Sequence, residues 1–177
     1  MSSTLEVADL AMGWFWQPDN HFSSIDGVEE VIVGYSGGSD PFPSFECKKD
    51  HVETVRVIFD PTVIEYDEIL DNFLEQGGLP TGCRSTSQTK ILVHNETQLL
   101  KAQGVVRMLQ RARLSRTLPI VQKAGDFYRA EEHHQKYLEK LRHSLPRDYD
   151  VSWMWSSLSV SVFNADHGAG SMEAALA

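Results

Sequence analysis

The stretch from His51 to Phe59 limits the folds open to this chain more than any other. Val55, Val57 and Phe59 share one side of it, while Thr54 and Arg56 take the other. A period of two is the signature of a pleated strand with one buried face, so a sheet has to be present. Asp60-Pro61 breaks that strand. A second run, Glu29 to Tyr35, is β-branched and apolar and reads as another strand. Ser36-Gly37-Gly38-Ser39-Asp40-Pro41 ends it in a turn.

Helical periods are interleaved with these strands. Tyr66, Ile69, Leu70, Phe73 and Leu74 form one apolar stripe, predicting a helix from Val63 to Glu75 that Gly77-Gly78-Leu79-Pro80 stops. Val7 to Met12 is a short strand, and the polar run Gln17 to Ser24 opens a helix. Residues 81 to 89 are a polar loop, and Lys90 to Val93 is a strand. Asn95, with Gln98 three places on, is an N-cap signal for a helix to Leu114 whose inner side carries Leu99, Val106 and Leu109. Pro119 to Gly125 is extended or irregular. Asp126 caps a last expected helix, Phe127 to Arg142, striped by Phe127, Ala130, His134, Tyr137, Leu138 and Leu141. The fold class expected is α+β, a two-layer roll of helices on a mixed sheet. The domain runs from 1 to 143, and a tail, 144 to 177, carries Trp153-Met154-Trp155, too apolar to stay free of the domain or a partner.

Composition excludes several classes. A net charge of −9 lacks the clustered cations a nucleic-acid surface needs. No apolar run is long enough to cross a bilayer. Met1 to Ala11 lacks the basic start and apolar core of a signal peptide, and two cysteines in 177 residues make no disulfide framework. A reducing compartment, the cytosol, is the expectation.

Four motifs narrow the function. They are Gly13-Trp14-Phe15-Trp16; Val33-Gly34-Tyr35-Ser36-Gly37-Gly38 with Pro41, Pro43 and Phe45; His51-Val52-Glu53-Thr54-Val55-Arg56-Val57 with Asp60-Pro61; and Phe127-Tyr128-Arg129-Ala130-Glu131-Glu132-His133-His134-Gln135-Lys136-Tyr137-Leu138. In this order and spacing the chain resembles the A-type peptide methionine sulfoxide reductase family from about residue 6 to 142. The last motif, close to Phe-Tyr-x-Ala-Glu-x-x-His-Gln-x-Tyr-Leu, is the most specific.

The resemblance implies an α+β roll with a basin for methionine-S-sulfoxide. In the family a Cys thiolate attacks the sulfoxide sulfur, and a Glu and Tyr hydroxyls protonate the departing oxygen. The resulting sulfenic acid is reduced through a resolving Cys and a thioredoxin-type reductant, with no cofactor. The partners implied are methionine-sulfoxide side chains of proteins, or a protein partner. Carried over residue by residue, Phe15 and Trp16 match the slot for the S-methyl group, and Tyr35 matches a Tyr that donates to the oxygen. Glu46 is the candidate acid; an ungapped alignment sets Cys47 there instead, because the loop from Phe45 to His51 is about four residues short of the family's.

The departure is Trp14, which stands where the family has its nucleophilic Cys. Indole neither attacks sulfur nor forms a sulfenic acid, so Trp14 is expected to plug the basin or serve as a binding platform. The tail has no Cys to resolve an intermediate. Cys47 is an outside candidate for a migrated nucleophile, and so is Cys83, near which the family carries a second donor Tyr. The alternative to a reductase-like site is an interaction module using the aromatic basin and the Trp-Met-Trp tail. His51 with Glu53, and His133 with His134, are too scattered for a zinc signature. His134 is expected in the core and His133 in solvent, and Arg107, Arg111, Arg113 and Arg116 read as a solvated helix face.

Overall fold

The computed structural model describes residues 4–78, 89–113 and 118–146. The chain divides into two units, Met1–Lys140 and Leu141–Ala177, and the architecture below is that of the first. Cys83, Arg116 and the Trp153-Met154-Trp155 segment lie outside the described residues.

Six strands form one sheet in the order β5-β4-β1-β3-β2-β6. They are β1 (Glu6–Ala11), β2 (Val28–Ser36), β3 (Val52–Phe59), β4 (Lys90–Val93), β5 (Ile120–Lys123) and β6 (Phe127–Arg129). β4 and β5 are parallel and the other neighbours antiparallel, so the sheet is mixed. With the helices α1 (Trp16–Phe22), α2 (Tyr66–Phe73), α3 (Glu96–Ala112) and α4 (Tyr137–Ser144), this is the α+β fold expected from the interleaved periods.

The period-two reading of β3 holds. Val55, Val57 and Phe59 are buried, joined by Ala8 and Leu10 of β1, Val31, Val33 and Tyr35 of β2, and Ile91 and Val93 of β4. The helical stripe of α2 meets this core through Tyr66, Ile69, Leu70 and Phe73, all buried. Burying each such side chain contributes roughly 1.5–3 kcal/mol. α3 begins where the cap signal set it, since the Asn95 side chain accepts from the Gln98 N–H. Its inner face is Gln98, Ala102 and Leu109. Gln98 also donates to the Val7 carbonyl at 2.8 Å and accepts from the His94 N–H at 3.0 Å, fastening the helix to β1.

The opposite face carries a buried charge. Asp9 is fully buried and takes two hydrogen bonds of 2.8 Å from Arg56, with His94 Nε2 at 3.0 Å. Burial pushes its carboxyl upward, but the hydrogen bonds and charges of Arg56 and His94 outweigh that and hold it below the ordinary carboxylate range.

The expected helix from Phe127 to Arg142 is corrected. Phe127–Arg129 is the edge strand β6, Glu132–His134 a single 3-10 turn, and only Tyr137–Ser144 is α-helix. Tertiary pairing overrides the helical period here. Gly34 lets β6 approach β2, since a Cβ at residue 34 would lie 2.4 Å from the Tyr128 carbonyl oxygen. Asp126 does not cap a helix; its carbonyl accepts from the Ser36 hydroxyl at 2.8 Å. Lys136, at φ 52°, turns the chain into α4. Asp19 holds that turn, accepting from the Lys136 N–H at 2.8 Å and from its ammonium at 2.7 Å.

Candidate functional site

The site is assembled from three segments that the sheet brings together. The first is the turn from β1 into α1. Gly13 takes the left-handed φ of 75° that the turn requires. The Met12 and Gly13 N–H groups both donate to the Glu53 carbonyl, at 3.1 and 3.3 Å, so the turn is fastened to β3. Trp14, Phe15 and Trp16 follow in succession. The buried Asp19, paired with the half-buried Lys136, then anchors α1 beside the C-terminal segment, where Trp16 stacks on Tyr137 with ring centroids 4.3 Å apart.

The second segment is the loop between β2 and β3. Asp50 accepts from the Ser39 and Asp40 N–H groups and the Ser39 hydroxyl, which holds its carboxyl well below the usual range. His51 receives the Gly38 N–H at 3.3 Å, with its other ring nitrogen 2.7 Å from the Asp40 carbonyl. Between these fixed points the loop delivers Phe45 and Lys48. The third segment, Ala130 to Tyr137, supplies Glu131 and His134.

Aromatic rings make up most of the basin. Phe15 is buried, and its ring lies 6.0 Å from Tyr35, 6.4 Å from Phe45 and 5.6 Å from His134. Trp16, half-buried, stacks on Phe45 at 6.0 Å and donates its indole N–H to His134 Nδ1 at 3.2 Å. Trp14, also half-buried, sets its ring edge-on against Trp16 at 5.1 Å. Its N–H is closed off from solvent and makes no hydrogen bond among the described residues.

Two carboxylates lie under these rings. Glu131 accepts the Tyr35 hydroxyl at 2.8 Å and the Phe45 N–H at 3.1 Å. Burial works against its charge, but its own N–H, the Tyr35 hydroxyl and the Phe45 N–H outweigh that and hold its carboxyl below the ordinary range. Burial, then the hydrogen bond and charge of Glu131, push the Tyr35 phenol far above its usual value. Glu53 is cross-strand partner to Tyr35 and is 5% exposed. Burial pushes its carboxyl up, while Lys48, whose ammonium is 2.6 Å away, and the Phe15 N–H pull the other way.

Phe15, Trp16 and Tyr35 therefore converge. The Tyr35 proton is committed to Glu131. Glu46, the expected acid, is exposed on the loop, and the carboxylate buried beside Phe15 is Glu53. Cys47 is exposed too, with its N–H on the Ser44 hydroxyl. His134 is buried as expected, though in a 3-10 turn, and His133 is exposed. Among the described residues, no three His, Cys, Asp or Glu side chains gather as a metal site would need. The role of Glu53 is not among the expected ones, although the alternation of β3 carries its signal. Residue 53 shares the parity of Val55 and Val57, so its carboxylate had to sit on the core face. Glu131 and Tyr137 are fixed positions of the last motif, whereas Lys48 has no such signal, because loop geometry places it.

Comparison with known proteins bears on the family and the fold. A family model described as peptide methionine sulfoxide reductase matches residues 6–159. Peptide methionine sulfoxide reductase MsrA of Methanosarcina acetivorans is 38% identical over 149 residues, covering 77% of this chain and 79% of that protein. Methionine sulfoxide reductase A of Corynebacterium diphtheriae superposes with a TM-score of 0.64 at 25% identity, over 84% of this chain and 80% of that one. Reduced Mxr1 of Saccharomyces cerevisiae shares the fold with a TM-score of 0.68 at 22% identity, over 81% of this chain and 90% of that one.

Proposed function

Because the chain belongs to the peptide methionine sulfoxide reductase family, we propose that it seats methionine-sulfoxide side chains without reducing them by thiol attack at residue 14. The observation that carries this reading is the position of Trp14. It leads into α1 beside the ring pair Phe15 and Trp16, where the family resemblance puts the nucleophile. Reduction of a sulfoxide by a thiol moves one oxygen: the thioether leaves, and the thiol becomes a sulfenic acid. An indole has no lone pair on sulfur to offer and no S–OH to form.

The rest of the basin keeps features suited to the ligand. Phe15, Trp16 and Phe45 offer an apolar bed for an S-methyl group, and Glu53 and Glu131 lie beneath it. The partner in this reading is an oxidised methionine on a protein, and a thioredoxin-type reductant has no part unless the reaction runs. The two cysteines and the acidic charge suit the reducing cytosol. A second reading, an interaction module whose basin its own indole fills, draws on the edge-on packing of Trp14 against Trp16 and the closed-off indole N–H.

The two readings separate in one titration of the full chain with a methionine-S-sulfoxide peptide, followed by tryptophan fluorescence with product analysis in dithiothreitol. The proposal expects a saturable fluorescence change and no methionine formed. An unchanged signal favours the filled basin. Methionine formed in many turnovers contradicts both.

A further inference from the structure

We propose that the Lys48 ammonium is the group that holds the oxygen of a bound sulfoxide, which makes it the residue that tells oxidised from reduced methionine. This rests on the binding reading above. The oxygen of a sulfoxide carries much of the negative end of the S–O dipole and seeks a strong donor, whereas a thioether sulfur is a weak acceptor. Three other donors around the basin, on Tyr35, Trp16 and Trp14, are spent or shut away. The Tyr35 hydroxyl donates to Glu131 and the Trp16 N–H to His134. The Trp14 N–H is closed off from solvent, and Phe45 has no hydroxyl.

Lys48 differs from each of these. Its ammonium lies 2.6 Å from Glu53 Oε1 and 5.0 Å from the centroid of the Phe45 ring, at the junction of the buried acid and the aromatic bed. An ammonium has three N–H donors, and Glu53 engages one. The Lys48 side chain is 38% exposed, so a ligand can reach it, while Glu53 is 5% exposed and anchors it from below. The pairing also fits a neutral ligand. A bare cation would favour anions, but the Glu53 carboxyl 2.6 Å from the ammonium tempers that, and the pair offers a dipole to another dipole. Glu131, holding the Phe45 N–H close by, adds negative charge that disfavours carboxylate ligands. The ring of Phe45 meets the ammonium on one side and stacks with Trp16 on another, which links the oxygen donor to the methyl bed.

The test compares binding of N-acetyl-methionine-S-sulfoxide methylamide and its thioether counterpart to the full chain, by tryptophan fluorescence or amide chemical shifts. Wild type is expected to prefer the sulfoxide about tenfold, the size of one hydrogen bond to a charged group. Lys48→Met is expected to weaken sulfoxide binding about tenfold and leave the thioether unchanged, abolishing the preference. Lys48→Arg, which keeps charge and donors in the same exposed loop, is expected to retain most of it. The proposal is overturned if Lys48→Met keeps the preference, or if it loses both ligands equally, which would mark a merely structural role. It is also overturned if wild type binds both ligands alike. Failure of wild type to bind either ligand removes the binding reading along with it, and so differs from all three.

Discussion

Asp9 and Glu53 are two buried carboxylates on one sheet with opposite tendencies. Asp9 has Arg56 in bidentate contact and His94 beside it, so its folded-state carboxyl lies below the ordinary value of 3.8. Its contribution to stability is present above that value and is lost as pH falls through the lower, folded one. Glu53, raised above 4.5 by burial, works the other way: its contribution is complete below 4.5 and declines as pH rises through the folded value. Denaturant unfolding from pH 2 to 7 is expected to show wild type losing stability as pH drops below about 4. In Asp9→Asn that acid-side loss should be flatter, and the variant should be less stable than wild type at pH 7, because Arg56 and His94 lose their anion. An unchanged acid limb would contradict the role given to Asp9. At this scale the sequence was partly readable. The rings of Phe15 and Trp16 and the indole at 14 could be named from their motif. Glu53 is hidden because a carboxylate next to His51 reads as a metal partner before it reads as a core acid. Glu46 stands in a loop whose length departs from the family's.

Among the elements, the segment from β6 to α4 shows where local pattern gave way. The stripe of Phe127, Ala130, His134 and Tyr137 has helical spacing, yet the chain uses Phe127–Arg129 to complete the sheet edge. Beyond Arg129 the Ala130 N–H still donates to the Val33 carbonyl at 2.9 Å, and a side chain completes the pairing. The Gln135 amide accepts from the Val33 N–H at 3.0 Å and donates to the Val33 and Ala130 carbonyls at 2.9 Å each. Gln135 is buried, so these backbone groups have no solvent to turn to. Gln135→Leu conserves volume but strands the Val33 N–H and the Ala130 carbonyl, while the Val33 carbonyl keeps the Ala130 N–H at 2.9 Å. It is expected to cost about 2–4 kcal/mol in urea unfolding, since each unsatisfied buried group costs roughly 1–3 kcal/mol. A loss under about 0.5 kcal/mol, the scale of an ordinary surface substitution, would show that the amide is not the clip it looks like. β2, β3, β4, α2 and α3 were legible because each buries a face whose period shows in its own residues. The turn at Lys136 was not, because its left-handed backbone is held by Asp19, more than a hundred positions earlier.

For the molecule as a whole, the fold places the basin with residues from both ends of the described chain. Trp16 meets His134 and Tyr137, and Tyr35 meets Glu131. The architecture of the family is kept. On the proposed reading, the indole at residue 14 takes the place of the atom that begins the family's reaction, so that one side chain removes the chemistry and leaves the sheet that positions it. The measurement that bears most directly on this is a single-turnover assay without reductant, comparing wild type with Trp14→Cys on a methionine-S-sulfoxide peptide. The account predicts no methionine from wild type and a burst approaching one methionine per chain from Trp14→Cys, with the new thiol left as sulfenic acid. A stoichiometric burst from wild type, retained when Cys47 and Cys83 are both changed to Ser, would contradict it.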